Sequence, residues 1–450
     1  MPYLYTFTSL ILYCIAPDKY NFTYAVICMV LYVLTCFSTY RRNRQHIEVL
    51  SFYTIFSFTF FLANFIFPVF IYPFYPIEII FNETIDSDLI LKGEAMALLG
   101  YCCYANGIEV YLNKKQGPTT TIIPQITFKK SLKYVLYILI FINLFFLFRF
   151  AGVNYEEYHE LSRTTLTINS IMMMMLSMYL AYTLYKNREQ KITKIIYNNI
   201  VLFVLLSILV FSYTKIGDRG PILQILLALL LAYNLIVKKL SLKQLAIIAI
   251  CGIALMTSIR YNRNESSFKE GVEYKEAMYG KTLPSYLDAT LDLAYSSRAM
   301  YLGLEYTEKH GYIYGKSNLI NIFSPIPFLP SIVSRLLFNE EVGKISTGNL
   351  ITNEAGASSG LGTNAVVDVY MNFGIIGVIL VFYIFGYLIG YLEWNKNRSV
   401  YIICLYCFLG FMSIYSPRSS IFEFTRSVVW IYWLVSIFRI RNKHTINKSI

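Results

Sequence analysis

Charge is scarce in this sequence: 15% of its 450 residues are Asp, Glu, Lys or Arg, against about 25% in soluble domains. With a mean hydropathy of +0.50, that shortfall excludes an ordinary soluble domain. Histidine is scarcer still, at four residues. Only His310 falls in the one long polar segment, so no cluster with metal-ligand spacing exists there, and neither metal nor cofactor is expected. The eight cysteines all lie in apolar runs, which excludes a disulfide framework for that segment. Cys404 and Cys407 make a CxxC inside an apolar run with no second pair, and read as two small buried side chains. There is no P-loop and no GxGxxG after a strand. Chemistry driven by cytoplasmic nucleotide is therefore not expected.

Long apolar runs take the place of these features. They recur at lengths that fit membrane-spanning helices. Spans are expected at 3–16, 21–38, 51–75, 88–112, 132–151, 167–185, 196–214, 221–237, 244–259, 366–391, 399–415 and 426–440. The fold class is thus an all-α polytopic membrane protein with about 12 transmembrane helices. The first run ends at Pro17 and lacks both a basic start and a small-residue cleavage site, so it reads as its own insertion signal. Eleven spans remain if it inserts only in part. Pro68 and Pro73 are expected to kink the outer end of the third run.

The net charge of +12 sits in alternate short loops, for example Arg41, Arg42 and Arg44, then Lys186, Arg188, Lys191 and Lys194. The intervening loops are acidic or mixed. That alternation is a topology signal and not a nucleic-acid surface. It places both termini in the cytoplasm and the long segment outside. The chain divides into residues 1–259 with nine spans, one long outer loop at 260–365, and residues 366–450 with the last three spans.

Arginine is depleted on the outer side of membrane proteins, so the outward arginines are the informative ones: Arg219, Arg260, Arg263, Arg298 and Arg418. Each alone reads equally as a snorkelling anchor. As a set they read as an anion site, since arginine binds phosphate bidentately. Asp218 precedes Arg219 in a turn rich in glycine, where it either holds the guanidinium or shapes the turn. His310 is either an exposed loop residue or a general base. TGNLITNEAGASSGLGTN, at 347–364, has the composition of a flexible loop, and of a stretch whose backbone N–H groups approach phosphate. Asp368 lies one turn into a span, where a carboxylate needs an arginine partner or a catalytic role. Of the 40 tyrosines, many are expected in interfacial belts. Those of the long segment are also suited to stacking on sugars.

Three stretches carry a family resemblance: GDRG at 217–220, YGKS followed by SPIPFLP at 314–330, and GTNAVVDVYMNFGIIGVIL at 362–380. With the span count and the long late loop, they resemble the bacterial O-antigen and capsule repeat-unit polymerases of the Wzy type. Arg260 and Gly271 also match an arginine-to-glycine spacing of some members. The resemblance implies a glycosyltransferase-C-like membrane fold. It implies polymerisation of undecaprenyl-diphosphate-linked oligosaccharide repeat units into O-antigen or capsular polysaccharide, at the periplasmic face of the bacterial inner membrane. The lipid diphosphate is already an activated leaving group. Arg219, Arg260, Arg263, Arg298 and Arg418 are the expected substrate-binding residues, and Asp368 or His310 the expected proton acceptor. Expected partners are the carrier-linked glycan donor and acceptor, the lipid bilayer, a chain-length regulator and a flippase. Two alternatives remain at this point. An O-antigen ligase is suggested by the histidine in the long loop. A lipid-linked oligosaccharide flippase is the other, although in-span charges (chiefly Lys92, Glu94 and Glu109) are sparse for a transporter.

Overall fold

The computed structural model describes residues 2–75, 85–114, 124–149, 163–254 and 294–440, apart from 242, 249, 253, 295, 358 and 359. Arg260, Arg263 and the Arg260 to Gly271 spacing lie outside the described residues. So does part of the span expected at 244–259. The described residues are helical, with one isolated pairing of Phe128 with Arg439 and no strand among them.

The helices follow the apolar runs closely. We label them α1 (Pro2–Cys14), α2 (Phe22–Arg42), α3 (Phe52–Asn64), α4 (Leu89–Lys114), α5 (Ser131–Arg149), α6 (Arg163–Lys186), α7 (Ile192–Asn198), α8 (Ile200–Ile216) and α9 (Arg219–Ile236). After the long segment come α15 (Ala365–Asn395), α16 (Val400–Met412) and α17 (Phe424–Phe438). Six helices among the described residues are long and apolar enough to cross a membrane, and several shorter ones are apolar too. Ends are set by local chemistry. Asn21 and Ser51 cap α2 and α3 by accepting hydrogen bonds from Tyr24 N and Thr54 N. The run expected at 51–75 stops being α-helical at Asn64, and Pro68 sits in a π-helical turn, Phe67–Ile71.

The described part of the long segment is helical, contrary to a loop reading. It contains α10 (Ser296–His310), α11 (Lys316–Phe323), α12 (Leu329–Phe338), α13 (Val342–Ile345) and α14 (Thr347–Glu354). The start of the glycine-rich stretch at 347 therefore forms a helix. Its residues up to Glu354 contain only one glycine and no proline.

The chain forms two compact units. One comprises residues 1–119, 245–395 and 412–427; the other comprises residues 120–244, 396–411 and 428–450. The first unit is built around α4, which is buried along nearly its whole length. Its glycines explain how neighbours come so close on several sides. Gly93, Gly100 and Gly107 are seven apart and line one stripe. A Cβ at Gly100 would meet Val378 and Phe382 of α15 at 3.3 and 3.5 Å. At Gly107 it would strike the Tyr383 carbonyl, and at Gly386 of α15 it would strike the Tyr104 carbonyl. Small residues let two backbones touch in this way. Gly93 receives Met300 and Tyr301 of α10, and a Cβ on Gly303 would come within 2.6 Å of Val367 of α15. Thus α10 is locked between α4 and α15. Tyr32, Tyr53, Tyr101 and Tyr104 are core residues here, packed with Phe56, Phe60 and Phe385. Ser57 and Tyr101 share a 2.7 Å hydrogen bond.

Helix α15 is broken at Gly374, whose φ of 64° and ψ of −164° are not helical. The break is held from outside. Ile313 N–H donates to the Met371 carbonyl at 2.8 Å, satisfying an acceptor the helix no longer pairs. Gly315, with φ 79°, packs so closely on Phe373 that a Cβ would sit 2.8 Å from its ring. Only glycine tolerates both that angle and that contact.

In the second unit, Tyr213 of α8 donates to Asn143 Oδ1 of α5 at 3.1 Å and Asn169 Oδ1 of α6 at 3.2 Å. These buried polar groups satisfy one another. The GDRG stretch is the joint between α8 and α9. Gly217 ends α8 in the left-handed region, and Asp218 caps α9 by accepting from Gly220 N at 3.1 Å.

Candidate active site

The first turn of α15 builds the site in the first unit. Asn364 caps the helix: its Oδ1 accepts from Val366 N at 2.9 Å, and its Nδ2 donates to Asn64 Oδ1 at 2.9 Å. Asp368 follows one turn later, fully buried, with its N–H on the Asn364 carbonyl at 2.8 Å. The positive end of the helix favours a carboxylate there.

Three further segments converge on that carboxylate. Thr347, the first residue of α14, donates to Oδ1 at 2.6 Å. Ser420 donates to Oδ2 at 2.7 Å, from the turn that follows the 3₁₀ helix Ser416–Arg418. The Ser420 hydroxyl also lies 3.4 Å from Asn318 Oδ1 of α11. Ser317, beside Asn318, accepts from Thr347 N at 3.3 Å. On the far side, Asn372 Nδ2 donates to the Asp368 carbonyl at 2.7 Å. Hydroxyls bound to an anionic acceptor are short and strong in this way.

Among the described residues no cation lies within ion-pair distance of Asp368. The arginine partner that sequence suggested is therefore replaced by two hydroxyls. The surrounding polar groups are incompletely used. Asn318 Nδ2, Asn372 Oδ1, Thr363 Oγ1 and Ser416 Oγ are buried without a hydrogen-bond partner. One is a donor, one an acceptor, and two can be either. A buried polar group of this kind needs a partner, and a bound polar ligand would supply one.

The other candidates are distributed unevenly. Arg418 is exposed and stands two residues before Ser420; its backbone carbonyl faces Gly362, in the turn preceding α15. It is thus beside the Asp368 site. Arg298 is half-buried on α10, in the same unit, and burial lowers its pKa from the usual arginine value. Arg219 opens α9 and belongs to the second unit.

His310 ends α10 and is exposed. Its Nε2 is 3.1 Å from Glu354 Oε2, and Lys309 bridges Glu305 and Glu354 at 2.8 and 3.0 Å. Glu354 is at the opposite end of α14 from Thr347. Eight residues span about 10 Å, so the structure does not bring His310 to Asp368. Of the long-segment tyrosines, Tyr301 is core, Tyr306 packs in a tilted ring contact with His310, and Tyr312 and Tyr314 are exposed. Tyr279, Tyr286 and Tyr295 lie outside the described residues. Among the described residues, no group of three His, Cys, Asp or Glu side chains gathers at ligand distance.

Sequence reasoning missed Thr347, Ser420, Asn318 and Asn372. The only signal was the repeated short polar group, GKSN, STGN and SPRSS, in three stretches far apart in sequence.

The family model for O-antigen polysaccharide polymerase Wzy matches residues 3–449. No curated protein and no solved structure matches the chain.

Proposed function

The chain belongs to the O-antigen polysaccharide polymerase Wzy family, and from that premise we propose that it joins undecaprenyl-diphosphate-linked repeat units at the periplasmic face of the inner membrane, with Asp368 as proton acceptor. The acceptor hydroxyl oxygen attacks the anomeric carbon of the donor glycan. The bond from that carbon to the phosphate oxygen breaks, and its electron pair leaves on the carrier diphosphate. The hydroxyl proton passes to the Asp368 carboxylate, through the Ser420 hydroxyl: Ser420 gives its proton to Oδ2 as it takes one from the sugar. General-base assistance of this kind contributes about 100-fold or more.

The observation that carries this reading is the buried carboxylate, held by two hydroxyls, with four unpaired polar atoms on the segments that supply or adjoin its partners. Sugar hydroxyls both donate and accept, as those four atoms together require. Arg418, two residues from Ser420, supports binding of the diphosphate. We assign Arg298, Arg260 and Arg263 to the same diphosphate, on their sidedness and charge; Arg219, in the other unit, is left as an expectation of the sequence. Asp368 takes the base role ahead of His310, because His310 is exposed and engaged with Glu354.

The test is the surface glycan of a strain lacking the gene. Single-repeat glycan is the expected result. Loss of all glycan from the locus would point instead to a ligase or flippase, and a full ladder would refute the proposal.

A further inference from the structure

Helix α12, LPSIVSRLLF, presents its apolar side chains outward. Phe328 is 81% exposed, Leu336 78% and Leu337 63%. Ile322, Ile326 and Ile332 are exposed as well. The polar side chain Ser334 points the other way, fully buried on the Glu340 carbonyl. A helix of this kind in a water-filled space is a liability. Its ten residues extend about 15 Å, half the hydrocarbon thickness of about 30 Å. It is too short to cross a membrane and suited to lie in the plane of one.

What covers this face follows from the surface it adjoins. Helix α15 exposes Ile376, Leu380, Ile384 and Leu388, four residues apart, as a stripe along its outside. Phe373 heads the stripe. The start of α11 packs on Phe373 through Gly315. Tyr312 and Tyr314 are exposed at the same level, where aromatic residues mark a membrane boundary. The apolar surface of α11 and α12 therefore begins where the lipid-facing stripe of α15 ends. Arg335, on the polar flank, lines a small pocket of about 270 Å³ with Ser331 and Glu341.

We propose that residues 326–338 are seated in the leaflet at the Asp368 end of α15, with Phe328, Ile332, Leu336 and Leu337 among the upper acyl chains and Arg335 at headgroup level. The occupant of the face is the bilayer itself. This rests on the multi-pass membrane character of the chain and not on the reaction assigned to it. Its consequence for the site is positional. Helix α12 lies in sequence between Asn318 on α11 and Thr347 on α14, so seating it fixes both arms around Asp368 at the depth of lipid headgroups.

The experiment uses the full chain in phosphatidylethanolamine and phosphatidylglycerol vesicles. Leu336→Trp and Leu337→Trp are read separately, each as a difference from the parent protein with its three tryptophans. In vesicles whose lipids carry bromine near the headgroup end of the acyl chains, the added emission should be blue-shifted and lose more than half its intensity. Bromine near the chain ends should quench it less. Asn353→Trp, at an exposed position of α14, should be quenched by neither. Water-like, unquenched emission at both positions would overturn the proposal. Blue-shifted emission without quenching would overturn it too, and would identify a protein surface, a second copy or a partner, as the cover.

Discussion

Replacing Asp368 by asparagine separates chemistry from folding at this site. Both carboxylate oxygens accept hydroxyl hydrogen bonds, from Thr347 at 2.6 Å and Ser420 at 2.7 Å. An amide of the same shape offers one acceptor and one donor. Either hydroxyl can rotate to accept from the amide, because a hydroxyl both donates and accepts. Asp368→Asn should therefore fold and reach the membrane at normal levels. Asp368→Ala would leave two buried hydroxyls unsatisfied and a void, which makes it the wrong variant for this question. The amide cannot take a proton, so the base contribution is lost: about 100-fold to 10,000-fold in rate, or about 3 to 5 kcal/mol in barrier. Thr347→Val removes one charge-assisted hydrogen bond, worth about 1.5 to 3 kcal/mol, or about 10-fold to 100-fold if expressed wholly in the rate; Ser420→Ala also breaks the proton relay and should approach the loss seen for Asp368→Asn. Thr347→Ser keeps the hydroxyl and should restore activity. The assay is the initial rate of chain extension by purified protein in vesicles with lipid-linked repeat units, with kcat and KM resolved and thermal stability measured in parallel. Asp368→Asn that extends chains within about threefold of the parent, well short of the expected loss, would refute the base assignment.

Gly386→Ala should be strongly destabilising, because its Cβ would strike the Tyr104 carbonyl. Overpacking costs about 1 to 3 kcal/mol, seen as a fall in melting temperature that Gly360→Ala, with open space around it, does not show. Arg418→Lys should shorten the glycan ladder, since lysine keeps the charge but loses the planar fork; a normal ladder would make Arg418 a headgroup anchor. The same substitution at Arg219 and Arg298 sorts those two by the same readout. His310→Ala should leave ladder length unchanged. The contact it joins should be pH-sensitive instead. Lys309 hydrogen bonding, joined by His310, holds the Glu354 carboxyl below its ordinary value of 4.5. The carboxylate contact is therefore present above that value and lost as pH falls below the lowered one. Hydrogen exchange at the end of α14 should stay slow at neutral pH and rise only in acid below 4.5. Faster exchange already at neutral pH would count against the contact.

The long helices were legible because long apolar runs leave the chain little choice. The run expected at 88–112 is α4, Leu89–Lys114, and the one at 221–237 is α9, Arg219–Ile236. Asp368 was legible as an exception, a carboxylate where composition disfavours one. What surrounds it was not. Thr347, Asn318 and Ser420 come from three separate segments and carry small hydroxyl or amide groups, which read as loop composition wherever they occur. Their meaning arises only when the chain brings them within 3.5 Å of one another or of Asp368. The glycines at 93, 100 and 107 were equally silent, since a helix shows no need for glycine until a second backbone is against it. The broken step in α15 was hidden for a related reason: Gly374 sits inside an apolar run that looks continuous.

That broken step bears on how the chain is made. Helix α15 has 31 residues, and removing the ten through Gly374 leaves residues 375–395. Those 21 positions reach about 31 Å, the thickness of the hydrocarbon layer. The part of α15 that the insertion machinery must commit to lipid is thus complete without Asp368, whose charge at a helix centre would add about 2.5 to 3.5 kcal/mol to the cost of partitioning. Its only acidic or basic residue is Glu393, at the opposite end, three positions before Lys396. The segment can enter the bilayer as a plain hydrophobic anchor during synthesis. The short stub bearing the carboxylate can fold afterwards, against Asn318 and Thr347, which precede it in the chain, and Ser420, which emerges later.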